Sequence, residues 1–237
     1  MCARRKPRSS SRRSSRRPAV AEPLRIALVA VLLLWNAGAA QAEARANAFD
    51  YYMLALSWSP TWCASPAGRG DAHQCGPSRG YDFVVHGLWP QYRNGWPQYC
   101  DSDARLTEAV VDAMLDIMPS RTLVRHQWNK HGTCSGLAPE AYFALTRRLR
   151  EEIRVPARYV DPGRTIEVSV QQFVSDFLAT NRDLSRDMIS VQCGNRRDRA
   201  RLRELRVCFS RDGALRACGP NERRQCRAEQ RVLPPVR

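Results

Sequence analysis

The stretch HQWNKHGTC, residues 126–134, decides how this sequence is read. It holds half of the four histidines in a chain of 237 residues, together with a lysine, an amide and a cysteine. On a helix advancing about 100° per residue, with His126 at zero, Lys130 falls at about 40°, Gln127 at about 100° and His131 at about 140°. Trp128 falls at about 200°, near Val124 one turn earlier. The pattern predicts a helix with a polar arc toward a cleft and an apolar side on the core. A zinc protease motif would place histidines four apart with a glutamate beside the first. Here the spacing is five and the glutamate is absent, so no metal site is expected. Isolated core histidines are the bland alternative, and two of them with Lys and Gln on one arc fit it poorly.

Working outward, FDYYMLALSWSP (49–60) reads as a buried strand ended by Pro60. GRGDAHQCGPSRG (68–80) reads as a loop, and YDFVVHGLWP (81–90) as a second strand that stops at Gly87–Pro90. QYRNGWPQYC (91–100) reads as loop again. Helical spacing runs through DARLTEAVVDAMLDIMP (103–119) to Pro119 and through RTLVRHQWNKHG (121–132) to a left-handed stop at Gly132. A third helix is expected in APEAYFALTRRLREEI (138–153), and VSVQQFVSDFLATN (168–181) reads as strand into helix. MISVQC and LRELRVCFS read as late strands, and the tail from Cys218 as mostly irregular. Strands flanking a helical middle predict an α+β fold. The dense basic run NRRDRARLRELR (195–206) reads as a solvated turn and strand edge.

Residues 1–42 look like a basic leader and secretory signal. They carry nine Lys/Arg and one acid, more than half of the formal net charge of +15. The apolar run IALVAVLLLWNAGAA is short for a membrane span, and AQA (40–42) suits cleavage before Glu43. Residues 43–237 are then a single domain, still basic, suited to a polyanionic partner. Cys2 lies in the leader. The other eight cysteines, an even number in an exported chain, imply four disulfides, with 105 possible pairings.

Two histidines on separate elements suit acid/base cleavage of RNA. One takes the proton of the ribose 2′-OH, the other protonates the departing 5′-oxygen, and cationic donors hold the phosphorane. His86, in FVVHGLWPQ, is the second candidate, whereas His73 sits in a loop between cysteines. With these residues in place, HGLWPQ and HQWNKHGTC resemble the two active-site segments of the ribonuclease T2 family of secreted acid endoribonucleases. The family's second segment usually reads H-E-W-x-K-H-G-T-C. Eight of its nine positions are met, counting the free one.

The resemblance implies a mostly antiparallel sheet flanked by helices and stapled by disulfides. It implies metal-independent, cofactor-free cleavage of single-stranded RNA through a 2′,3′-cyclic phosphate, with low base specificity. Carried over by position, His131 is the general base, His86 the general acid, and Gln127 stands at the position of the catalytic glutamate. His126 and Lys130 bind phosphate. Trp89 and Trp96 either stack a base or pack, and the disulfides join Cys63–Cys75, Cys100–Cys134, Cys193–Cys226 and Cys208–Cys218. DNA, lacking the 2′-OH, should not be cut. A monomer is expected, secreted or periplasmic, with no membrane span after cleavage. The departure at Gln127 keeps a second reading open, a catalytically weakened basic protein that binds RNA or acts at the envelope.

Overall fold

In a computed structural model of the chain, the residues described are 48–77, 79–194, 200–223, 226 and 230–236. The expected leader and cleavage site, Cys2 and the first five residues of the basic run 195–206 lie outside them. A four-stranded sheet in the order β2-β1-β5-β4 is built from β1 (Tyr51–Trp58), β2 (Phe83–Gln91), β4 (Ile189–Cys193) and β5 (Leu202–Phe209). Every neighbouring pair in it is antiparallel. A second, two-stranded ribbon pairs β3 (Ile166–Ser169) with β6 (Gln230–Leu233). β6 lies in the tail that the sequence reads as irregular; its partner is sixty-odd residues away, so no local pattern announces it.

The helices are α1 (Ser59–Cys63), α2 (Ala72–Cys75), α3 (Glu108–Asp112), α4 (Arg121–Lys130), α5 (Pro139–Glu151) and α6 (Val170–Thr180). Pro60 does end β1, but it also sits in the first turn of α1, where its missing N–H costs nothing. The expected loop 68–80 holds a 3-10 turn and α2. The long helix expected over 103–119 shrinks to α3, which Thr107 caps by accepting the Val110 N–H. β2 runs through Gly87–Pro90 instead of stopping there. It is an edge strand, so Pro90 takes no ladder bond away from a second neighbour.

One face of the sheet forms the core. Tyr52, Leu54, Leu56 and Trp58 of β1, Phe83, Val85 and Leu88 of β2, and Leu205, Val207 and Phe209 of β5 pack with Val124 and Trp128 of α4, Tyr142 and Phe143 of α5, and Phe173 and Phe177 of α6. The period-2 alternation of a strand then sends Met53, Ala55 and Ser57 to the opposite face. The four disulfides join Cys63–Cys75, Cys100–Cys134, Cys193–Cys226 and Cys208–Cys218, the pairing the resemblance implies. Cys100–Cys134 closes a separation of 34 residues and ties the turn after α4 to the loop after β2. In the chain-entropy picture such a closure contributes about 3–4 kcal/mol.

Candidate active site

α4 starts where Ser120 accepts the Leu123 N–H, and Val124 and Trp128 anchor it in the core. It ends at Lys130, one residue before the second histidine. His131 is the C-cap, with φ −124° and ψ −43°, and a 3-10 turn, Gly132–Cys134, follows. Gly132 is therefore not the left-handed stop expected of it; Gly136, with φ 72°, takes that conformation. Gly132 has a different reason to be glycine, since a Cβ there would lie 2.3 Å from the Trp128 ring. The single polar arc is also revised. His126 is exposed on the helix, while Gln127 and His131 turn inward and are 1% and 5% exposed.

His86 reaches the same place from a bulge in β2. The β1–β2 register steps from Ala55 opposite Gly87 to Leu56 opposite Val85, so His86 is an extra residue. Alternation from Phe83 and Val85, which face the core, sends His86 to the opposite face, and the extra residue resets the phase so that Leu88 returns to the core and Trp89 joins His86. His86 thereby points to the non-core face, half-buried, where its Nδ1 lies 2.7 Å from Oε1 of Glu204 on β5.

Trp89 joins the parts. Its ring is stacked on His131 at 5.2 Å between centroids and edge-on to His86 at 5.1 Å. Its Nε1–H donates to Oε1 of Gln127 at 2.7 Å, and the Arg206 guanidinium lies 5.2 Å from the ring. Gly87 makes room for that hydrogen bond, because a Cβ there would fall 2.1 Å from Gln127 Oε1 and 2.4 Å from Trp89 Nε1. The ring contacts thus favour packing over base stacking for Trp89. Trp96 differs, standing 52% exposed on the turn after β2. Asn221 clamps that turn, donating through Nδ2 to the Tyr92 and Gly95 carbonyls and accepting the Gly95 N–H. No ring contact joins Trp96 to the histidine cluster among the described residues.

The two inner groups differ sharply in electrostatics. Burial, then the charges of Lys130, His86 and His126, push the His131 pKa down to about 3, so its ring is neutral in mild acid. Its Nδ1 is buried without a hydrogen-bond partner. His126 is lowered too, by burial, Lys130 and His86. Burial would raise Glu204, but the His86 hydrogen bond and the charges of His86, Arg206 and Arg203 overcome it and hold the carboxyl at about 2. His86, His126 and Glu204 line a cavity of about 880 Å³ whose far wall includes Trp62, Asp71 and His73. His73, read as a bystander in a loop, thus faces the same space.

Glu204 is the residue that sequence reasoning missed. It lies inside the run read as a solvated basic edge, and only its place between two leucine-bearing strand positions hints at burial. Among the described residues, the one group of three possible metal ligands close enough to share an ion is Cys208, Cys218 and Glu222, and those two cysteines are joined as a disulfide.

With this geometry in hand, comparisons with known proteins agree on one family. The sequence profile of the "Ribonuclease T2 family" matches residues 49–218. A "Ribonuclease" of Aeromonas hydrophila is 39% identical over 201 residues, which cover 79% of this chain and 85% of that protein. "Ribonuclease I" of Escherichia coli (strain K12) is 30% identical over 172 residues, covering 54% of this chain and 64% of that one. Among solved structures, an "RNase-related protein from Calystegia sepium" superposes with a TM-score of 0.63 at 25% identity, covering 80% of this chain and 98% of its own.

Proposed function

Because the chain belongs to the ribonuclease T2 family, we propose that it is an endoribonuclease that cleaves single-stranded RNA by metal-independent transphosphorylation. The observation that carries this reading is the convergence on Trp89 of two imidazoles from different elements, His86 from the β2 bulge and His131 from the end of α4. Neutral in mild acid, His131 accepts the proton of the ribose 2′-OH. The 2′-oxygen then forms its bond to phosphorus as the bond to the 5′-oxygen breaks, and His86 delivers a proton to that oxygen. The product is a 2′,3′-cyclic phosphate. RNA supplies its own nucleophile, so no cofactor is invoked.

His126 and Lys130 bind the phosphate and oppose its growing charge. Gln127 stands where the family has a glutamate. Its Oε1 is taken by Trp89, which leaves the amide N–H group as the donor to a phosphoryl oxygen. An amide supplies that bond at any pH but carries no charge with which to tune the histidines, so turnover is lowered about 10- to 100-fold relative to a carboxylate, about 1.4–2.7 kcal/mol. The exposed Trp96 offers a face for a base, and stacking of this kind is tolerant of sequence. The leader-like residues 1–42 and the four disulfides support export to a secreted or periplasmic setting, with 43–237 as the working domain. No helix of the described residues is long and apolar enough to cross a membrane.

The test is digestion of single-stranded RNA by the purified mature chain beside a His131→Ala control, with end-group analysis. Cyclic phosphate ends from the first and none from the second are expected. RNA bound but uncut by the unaltered chain would favour the weakened, RNA-binding reading that Gln127 keeps open. DNA of the same sequence should remain intact.

A further inference from the structure

We infer that Glu204 is a positioning residue for His86, fixing the imidazole so that Nε2 is the nitrogen that hands its proton to the departing oxygen. The inference rests on the ribonuclease reading above for its catalytic meaning, but its geometry stands alone. Glu204 is 1% exposed and its Oε1 is 2.7 Å from His86 Nδ1. An ionised carboxylate can only accept, so Nδ1 carries the hydrogen and Nε2 is left to face the cleft. The other oxygen is held just as firmly: Oε2 accepts from Nε and Nη2 of Arg206 at 3.1 and 3.0 Å. Two bonds from one guanidinium onto that oxygen, with His86 on the other, hold the carboxylate at both ends. The guanidinium also keeps the buried negative charge compensated when the imidazole is neutral.

The sheet is cut to make this contact possible. Ser57 on β1 pairs with Glu204, and Ala55 pairs with Arg206. His86 lies on β2, on the far side of β1, so the carboxylate must cross two strand spacings, roughly 10 Å. The β1 residues on that face between them are the small Ala55 and Ser57. His86 projects from the same face, and the β2 bulge brings Trp89 to that face beside it. Arg206, at the next position on the same face of β5, holds Glu204 and also stands over Trp89. One face of the interior strand β5 therefore contacts both His86 and the indole that packs on His131. A structural ion pair alone would require none of this alignment with the catalytic ring.

Two measurements decide the matter. In 15N NMR spectra of the unaltered protein, assigned with His86→Ala, the neutral His86 ring should carry its hydrogen on Nδ1. A ring protonated on Nε2 instead would overturn the inference whether or not the protein cuts RNA. In kinetics, Glu204→Gln keeps an acceptor for Nδ1–H and should lower kcat by about tenfold. Glu204→Ala removes the acceptor and should lower kcat by roughly 100-fold, the low end of what a general acid contributes. KM should move less than threefold in both, since neither change touches the phosphate-binding groups. A kcat for Glu204→Ala within threefold of the unaltered enzyme, or a loss confined to KM, would overturn it. Absence of cleavage by the unaltered chain would instead count against the proposed function and leave the NMR result to stand.

Discussion

Replacing His131 with Gln should remove much of the protein's sensitivity to mild acid. In the folded chain the ring's pKa is pushed from 6.5 to about 3 by burial and by the charges of Lys130, His86 and His126. Below pH 6.5 the unfolded chain therefore binds a proton that the folded chain refuses. Stability is lost as pH falls, by about 1.4 kcal/mol per unit, until the folded pKa is reached. Between pH 7 and pH 5 the loss is about 2 kcal/mol, since the unfolded ring goes from mostly neutral to almost wholly charged over that range. For a domain of this size, that lowers Tm by roughly 4–8 °C. Glutamine keeps a polar side chain but cannot titrate, so this part of the slope should vanish. His126 acts in the same direction, and Glu204 costs stability only as pH falls below 4.5 toward about 2, but both are present in the two proteins and cancel in the comparison. Urea unfolding at pH 7, 6 and 5 gives the midpoints for each protein. Parallel stability curves for the two would refute the claim that His131 is held neutral by its burial.

The other predictions concern the groups around Trp89 and the RNA. Gly87→Ala drives a methyl into the Trp89–Gln127 hydrogen bond, and should cost about 1–3 kcal/mol of stability and lower kcat/KM at least tenfold; thermal unfolding and RNA cleavage rates within error of the parent would contradict it. Gln127→Glu should raise turnover about 10- to 100-fold and change the pH profile, because it returns a titrating group to the site. If no pH shows a gain, the amide is fully competent. Affinity for RNA should fall steeply with added salt as Lys and Arg contacts release counterions, and Lys130→Ala should make the slope of log affinity against log salt shallower by about one. Titrations at several salt concentrations measure both, and a flat response would remove the electrostatic part of the account.

Local pattern sufficed where the physical signal is local. The apolar run of residues 51–58 is that of a buried strand and 202–209 is a strand as well, while residues 139–151, opened by Pro139, and 170–180, capped by Ser169, have helical spacing. The short run of His126 to Cys134 also carried its own polar groups, and within it Gln127 and His131, one turn apart, turn inward together where α4 ends. Elsewhere the pattern misled. The apolar spacing over 103–119 promised a long helix, yet only Glu108–Asp112 forms one. Gly132 looked like a left-handed stop, when it is small because the Trp128 ring lies against it.

From the order of residues alone come the kind of fold, the eight cysteines from Cys63 onward, and the set of histidine, lysine and amide groups fit for moving protons at a phosphate. Their assembly into a working geometry belongs to the folded chain. A one-residue bulge in β2 puts His86 and Trp89 on one face, two small side chains on β1 let Glu204 reach His86 from two strands away, and burial leaves His131 without charge. Register, distance across a sheet and loss of solvent are properties of neighbours far apart in sequence, and a linear pattern carries no record of them.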